Sequence, residues 1–351
     1  MRKILQQLKQ GKTDITRFLE LAGKYPIVDV RSPSEFNYGH IPGAFNIPLF
    51  NDREREEVGT IYKKEGRVAA IRHGLQLTGP SMASKLDRAL ELAVNNRLLL
   101  HCWRGGMRSE AMAWLFSLGD LETEILEGGY KSYRHHVLES IGAPRRIIIL
   151  GGLTGSGKTH ILRRMKELGH QVIDLEGIAC HKGSAFGSLG QPPQPSSEHF
   201  ANLLFDELKK TDPDKPLWLE DESKNIGTVF MSDQFWGLMQ ESPVIALIMD
   251  TETRMPRLLE EYSTLPREEL LASVNRISKR LGGDNTKESS ESIISGDFRR
   301  AIEITLNYYD RTYFYGLKRR KESQIRYVET TTDDIDKNIG KILEAAGPLL
   351  A

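Results

Sequence analysis

Apolar residues along the chain fall into short runs of strand length, separated by longer stretches with helical spacing. The clearest runs are Tyr25-Pro-Ile-Val-Asp-Val30, Leu98-Leu-Leu100, Ile147-Ile-Ile-Leu150, Val244-Ile-Ala-Leu-Ile-Met249 and Gln324-Ile-Arg-Tyr-Val328. Between them, residues 14–22 predict a short helix. Ser109 to Leu118 repeats apolar residues at helical intervals and stops at Gly119-Asp120, a helix begins near Glu198, and a long one runs from Arg299 through Tyr315. Short strands alternating with longer helices predict an α/β fold whose sheets are mainly parallel and covered on both faces. No apolar run approaches the roughly 20 residues needed to cross a bilayer.

The pattern also divides the chain. Tyr130 to Leu138 reads as a connecting helix, and Gly142-Ala-Pro144 then breaks the chain before a new strand. A boundary there separates residues 1–140 from 141–351, and a chain of 351 residues is long enough for two domains, each with its own core.

In the first half, the strand Leu98-Leu-Leu100 runs into His101-Cys-Trp-Arg-Gly-Gly-Met-Arg-Ser109. Two central glycines allow successive backbone N–H groups to converge on one point, and the helix that follows turns its N-terminus toward the same loop. Arg104 and Arg108 add full positive charge. These features favour thiolate over thiol at Cys102 and suit an anionic donor equally well. Asp29 and Arg31, at the end of an earlier strand, read as braces of the fold, and His40 as a structural residue in a Gly/Pro-punctuated turn. Residues 51–68 are too charged at their start to be core and read as a solvated helix.

In the second half, Gly152-Leu-Thr-Gly155-Ser156-Gly157-Lys158-Thr159 follows a strand and opens a helix, the spacing and setting of a P-loop. Its N–H groups would wrap a di- or triphosphate, Lys158 would neutralise the outer charge, and Thr159 would help hold Mg2+. The strand Pro216-Leu-Trp-Leu219 ends in Glu220-Asp221-Glu222, and Asp221 is the expected second metal contact, with Glu220 and Glu222 competing for it. Open α/β sheets bind ligands at the carboxyl ends of their strands, which makes Asp174, Lys182 and Ser184 candidate contacts to substrate phosphate or nucleoside. Basic residues concentrate late, at Arg254, Arg257, Arg276, Arg280 and Arg299-Arg300, near several tyrosines. That mixture suits RNA through phosphate contact and stacking, and Arg276 or Arg280 would alternatively reach over the P-loop.

Composition narrows this little. Lysine plus arginine and aspartate plus glutamate number 48 each, so a polyanion would have to meet a local basic face. Two cysteines and an N-terminus without a continuous apolar segment argue against a disulfide framework or export, and predict a reduced, cytoplasmic enzyme with no membrane partner.

Asp29-Val-Arg-Ser-Pro-Ser-Glu-Phe36, Gly39-His-Ile-Pro-Gly-Ala44, the Cys102 loop with Arg108, and Leu126-Glu-Gly-Gly129 together resemble a rhodanese domain over residues 14–137. The resemblance implies that Cys102 carries sulfur or selenium. A rhodanese domain fused to a P-loop domain, with Asp174-Leu-Glu176, His181-Lys-Gly-Ser184 and Trp218-Leu-Glu-Asp-Glu-Ser223 downstream, resembles the tRNA 2-selenouridine synthase family over nearly the full length. Where Arg is expected in the His-x-Gly-Ser loop this chain has Lys182, which keeps the charge and loses a bidentate fork.

The resemblance implies replacement of sulfur by selenium in 2-thiouridine at the tRNA anticodon wobble position, through an S-geranyl intermediate. Geranyl diphosphate and selenophosphate would be co-substrates, with no tightly bound cofactor, and an enzyme that supplies selenophosphate would be a partner. Cys102 would hold selenium or assist expulsion of the geranyl thiol. Two other classes fit the residues: an ATP-dependent tRNA sulfurtransferase with a Cys102 persulfide, and a non-catalytic RNA-binding module that senses nucleotide.

Overall fold

The structure, a computed structural model, describes residues 11–350; the N-terminal segment read above for export, residues 1–10, lies outside them. Two compact units are present, the first ending at Ser140 and the second beginning at Ile141.

The first unit runs β1 (Gly11–Thr13), α1 (Ile15–Ala22), β2 (Ile27–Asp29), α2 (Pro33–Tyr38) and β3 (Phe45–Asn46), then α3 (Asp52–Glu65), α4 (Arg67–Thr78) and α5 (Met82–Leu92). It closes with β4 (Arg97–His101), α6 (Met107–Ser117), β5 (Glu122–Leu126) and α7 (Gly129–Ile141). The strands form one parallel sheet in the order β1-β5-β4-β2-β3. Strand β4 lies at its centre, with Leu98, Leu99 and Leu100 all buried, which is why its sequence is a continuous apolar run rather than an alternation. The register sets Asp29 beside His101, so the loops after β2 and β4 leave the sheet at one edge.

Local signals place the helix starts. Asp14 accepts from the N–H groups of Thr16 and Arg17 and caps α1, a contact of about 1 kcal/mol. The charged stretch expected to be solvated is α3, which has no fully buried residue. Strand β1 escaped the periodicity because three residues, Gly11-Lys12-Thr13, carry no pattern; backbone pairing to β5 makes them a strand.

The second unit runs β6 (Ile147–Gly152), α8 (Lys158–Glu167), β7 (Gln171–Val172), α9 (Leu175–Ala179), α10 (Ser197–Leu208), β8 (Leu217–Glu220) and a short hairpin of β9 (Asn225–Ile226) and β10 (Val229–Phe230). There follow α11 (Asp233–Glu241), β11 (Val244–Met249), α12 (Thr251–Ser263), α13 (Arg267–Leu281), α14 (Gly283–Ser295), α15 (Phe298–Leu317), β12 (Ile325–Thr330) and α16 (Ile335–Leu350). Its five-stranded sheet, β12-β11-β6-β8-β7, is parallel throughout. Ile148, Leu150, Trp218, Ile245 and Leu247 of the sheet pack with Ile161, Met165, Ile339 and Ile342 of α8 and α16. A second core joins α13, α14 and α15 through Val274, Ile277, Ile293 and Ile304, with Phe186 of the preceding loop inserted among them. Both units therefore have the α/β, parallel-sheet architecture that the apolar pattern predicts. Among the described residues no helix is long and apolar enough to cross a membrane.

Candidate active sites

The first candidate lies at the carboxyl edge of β4, where Cys102 follows the last strand residue and is 4% exposed. Its sulfur stands 4.0 Å from the carbonyl of Gly106, the N-cap of α6. The loop is held from behind by the start of α7. The N–H of Tyr130 donates to Cys102 O at 2.8 Å and that of Lys131 to Trp103 O at 3.0 Å. Gly105 and Gly129, with φ of 64° and 60°, approach backbone to backbone. A Cβ on Gly129 would run into Cys102 O and Gly105 N, and one on Gly105 into Leu126 O. The Leu126-Glu-Gly-Gly129 sequence is thus part of the cysteine loop's construction.

Burial pushes the Cys102 thiol up, but the Ser109 hydroxyl, the Arg104 and Ser109 N–H groups and the charge of Arg108 outweigh it, leaving the pKa below the usual thiol value. Ser109 Oγ is buried and has no nitrogen or oxygen partner, which leaves it directed to the sulfur. Arg108 is clamped by Glu35, with Nη1 to Oε2 at 2.7 Å. Glu35 also accepts from Ser32 N at 3.1 Å, closing the capping box of α2, so one carboxylate fixes both a helix start and the active-loop arginine.

The two arginines of the loop act differently from expectation. Arg108 supplies charge to the sulfur, whereas the Arg104 side chain is exposed and contributes through its backbone N–H. Asp29 and Arg31 are buried and joined at 2.6 Å; Arg31 Nη2 also donates to Gly39 O at 2.7 Å and its guanidinium lies 3.7 Å from the Tyr130 ring centroid. They brace the loops on which Cys102 and α7 stand. His40 stacks on Phe36, with Nδ1 2.9 Å from Phe36 O.

The second candidate is the turn between β6 and α8. Gly152, Gly155 and Gly157 have φ of 156°, 81° and 80°. Lys158 Nζ donates to Gly152 O at 2.9 Å, laying the ammonium over the loop. Ser156 Oγ is buried inside the loop without a hydrogen-bond partner, a donor of the kind an oxyanion would satisfy. The arginines that reach this loop come from α12. Arg254 Nη1 donates to Thr154 O at 2.9 Å and Arg257 Nη1 to Gly155 O at 3.1 Å. Arg254 is itself buried and paired with Asp310 at 2.6 Å.

The carboxylate that bonds Thr159 is Glu176 rather than the expected Asp221. Asp221 pairs with Arg320 at 3.0 Å, beside Gly151 and the Tyr313 hydroxyl, and burial holds its carboxyl up against the charges of Arg320 and Lys158. Thr159 Oγ1 instead lies 3.2 Å from Glu176 Oε2, and Glu222, packed against Gly183, adjoins Glu176. A tight turn after β8 explains the difference. Glu222 N–H donates to Glu220 O at 3.0 Å, and the two glutamates lie toward Glu176 while Asp221 meets Arg320. Burial and neighbouring carboxylates hold Glu220 and Glu222 well above the ordinary range. Among the described residues no group of three His, Cys, Asp or Glu would hold a metal by itself. Thr159 and Glu176 are nonetheless hard oxygen groups, the donor set by which Mg2+ is held together with substrate phosphates.

Of the remaining expected contacts, Asp174 caps α9 by accepting from Gly177 N at 2.6 Å, and Ser184 Oγ accepts from Phe186 N at 3.2 Å. Lys182 forms an ion pair with Glu261. Arg276 bonds Ser273 Oγ at 2.9 Å; burial, and after it the charge of Arg276, holds the pKa of His181 down, which places Arg276 by the 181–187 loop. Arg280 lines a different, open concavity between α13, α14 and α15. Neither Arg276 nor Arg280 bonds the P-loop; Arg254 and Arg257 do, and they were legible only as late basic residues.

Residues 14–136 match the rhodanese-like domain family, and residues 145–268 match the family described as the tRNA 2-selenouridine synthase AAA domain. The chain is 33% identical to the tRNA 2-selenouridine synthase of Nitrosomonas europaea, over 84% of this chain and 90% of that protein. It is 37% identical to the tRNA 2-selenouridine synthase of Shewanella sediminis, over 88% of this chain and 92% of that one. A crystal structure of the N-terminal domain of a Clostridium difficile 630 protein, described as ATP/GTP binding, is 39% identical, covers 36% of this chain and 99% of its own, and has a TM-score of 0.34. Two domains in this order, matched across most of both lengths at this identity, place the chain in the tRNA 2-selenouridine synthase family.

Proposed function

We propose that the chain is a cytoplasmic tRNA-modifying transferase that converts 2-thiouridine at the anticodon wobble position to 2-selenouridine in two steps. In the first, the thio sulfur attacks the terminal carbon of geranyl diphosphate, the carbon–oxygen bond breaks and diphosphate leaves. Lys158, the loop N–H groups and Ser156 Oγ would stabilise the charge that grows on the leaving group. A Mg2+ ion sharing that diphosphate would be held by Thr159 and Glu176 and would supply further neutralisation. In the second step, the selenium of selenophosphate adds to the carbon that bears the S-geranyl group, the carbon–sulfur bond breaks and the geranyl thiolate leaves, and water cleaves the selenium–phosphorus bond to release phosphate. Cys102 serves this step, where a loop that favours anions suits both the selenium donor and the departing thiolate.

The observation that carries the reading is the pairing, in a chain of this family, of a buried cysteine whose thiolate is favoured with an oligophosphate cradle containing an unsatisfied hydroxyl. The test is mass analysis of nucleosides from thiolated tRNA incubated with the protein, geranyl diphosphate and selenophosphate. Cys102→Ser is expected to accumulate the S-geranyl nucleoside without selenouridine, and Lys158→Ala to stop geranylation. Equal loss of both steps in Cys102→Ser would sink the division of labour, and tRNA-stimulated ATP hydrolysis without geranylation would replace it with an ATP-dependent sulfurtransferase.

A further inference from the structure

Helices α13, α14 and α15 line an open concavity of about 540 Å3, within the range of small-ligand sites. Its wall carries Arg280, Arg300 and Arg311 beside Tyr308 and Tyr315. The three arginines are not equivalent. Arg300 is neutralised by Glu288 at 2.7 Å and Glu303 at 3.3 Å. Arg280 and Arg311 have no ion pair or hydrogen bond among the described residues. Elsewhere in this unit Arg254 pairs with Asp310, Arg299 with Glu252 and Arg320 with Asp221, while Arg257 and Arg276, which lack a carboxylate, hydrogen-bond Gly155 O and Ser273 Oγ. In a chain whose charges cancel, two unmatched guanidinium groups in one concavity are a local excess of positive potential. Tyr315 is 63% exposed, and the Arg319 guanidinium lies 4.9 Å from its ring centroid, adding a third cation at the rim.

Unpaired guanidinium groups suit phosphate, and an exposed tyrosine suits the face of a base; together they fit a nucleotide in an unpaired stretch of RNA. We infer that this cavity binds a tRNA nucleotide other than the uridine being modified, with Arg280 and Arg311 on backbone phosphates and Tyr315 against a base. The inference rests on tRNA being the substrate. An acidic protein segment would satisfy the arginines but would give the tyrosine face nothing to stack on.

The experiment measures binding of an unmodified tRNA transcript to the full chain across a range of salt concentrations. Replacing both arginines by alanine (Arg280→Ala with Arg311→Ala) is expected to weaken binding about tenfold or more and to make the slope of log affinity against log salt shallower by about 1.4–1.8, the value for two phosphates. Lysine at both positions restores the slope, Tyr315→Ala weakens binding with the slope unchanged, and all variants melt as the wild type does. Wild-type affinity and slope in the double alanine variant would overturn the inference while leaving tRNA as substrate. A wild-type chain that binds no tRNA would overturn both. Polyglutamate that displaces tRNA from the wild type but not from the double alanine variant would reassign the cavity to an acidic polypeptide.

Discussion

Glu35 and Arg108 stand 73 positions apart in the chain and meet at 2.7 Å beside the Cys102 loop. Burial pushes the Glu35 carboxyl up, but Arg108, Ser32 N–H and Arg55 draw it below its ordinary value, so the clamp is charged at neutral pH. Arg108 in turn favours the Cys102 thiolate. Glu35→Gln keeps an acceptor for the helix cap and removes the charge that orients Arg108. Alkylation of Cys102 by iodoacetamide, followed against pH, is expected to shift its midpoint upward in this variant. A midpoint equal to that of the wild type would show that Arg108 needs no clamp.

The lowered thiol pKa also links to stability. A group whose folded pKa is depressed contributes stability that is complete above the unfolded value, 9.0 for this thiol, and is lost as pH falls through the folded value. The difference in melting temperature between wild type and Cys102→Ser should therefore move in the wild type's favour as pH rises through that window. A constant difference would mean that the thiol titrates in the folded protein as it does in the unfolded chain.

Gly129→Ala and Gly106→Ala make an opposed pair. The first places a Cβ against Cys102 O and Gly105 N at a φ of 60°, and the second meets nothing within 4 Å. Strain of this kind costs about 1–3 kcal/mol, so thermal unfolding should show a clear loss for Gly129→Ala and little change for Gly106→Ala. Slower Cys102 alkylation is expected in the first variant as well, because the loop must shift.

Arg254 and Arg257 both bond P-loop carbonyls, yet their replacement should have different consequences. Arg254→Ala strands Asp310 and is expected to cost roughly 3 kcal/mol, the low end for a broken buried pair because Asp310 is partly exposed. Arg257 has no acidic partner among the described residues, so Arg257→Ala should unfold within about 0.5 kcal/mol of the wild type and weaken diphosphate binding, read by calorimetry.

The placement of Thr159 predicts which carboxylate matters to Mg2+. Glu176→Gln is expected to weaken the Mg2+ dependence of diphosphate binding about tenfold or more, since it removes one of few charged oxygen groups at Thr159. Asp221→Asn should leave that dependence intact and lower the melting temperature by breaking the pair with Arg320. The reverse order would return the metal to Asp221.

Much was legible without coordinates wherever the signal was local. The strand, glycine turn and helix around Cys102 and around Lys158 each occupy a few consecutive residues, and the burial of β4 and β6 follows from their unbroken apolar runs. Strands β1, β9 and β10 were not legible, because two or three residues carry no period and become strands only by pairing. Asp221 was read as the metal-side residue because the end of β8 offers three adjacent carboxylates, and only their directions separate Glu222, beside Glu176, from Asp221, beside Arg320.

The sequence by itself determined a cysteine loop and a P-loop on parallel α/β sheets, since backbone conformation over a short span follows largely from glycine spacing and side-chain type. Tertiary structure decided which side chains serve those loops. Glu35 reaches Arg108, Gly129 supports Gly105, and Arg257 reaches Gly155 because strand order and helix packing bring distant segments to the same edge. Charge and hydrogen bonding act over a few ångströms, and distance along the chain says nothing of distance in space.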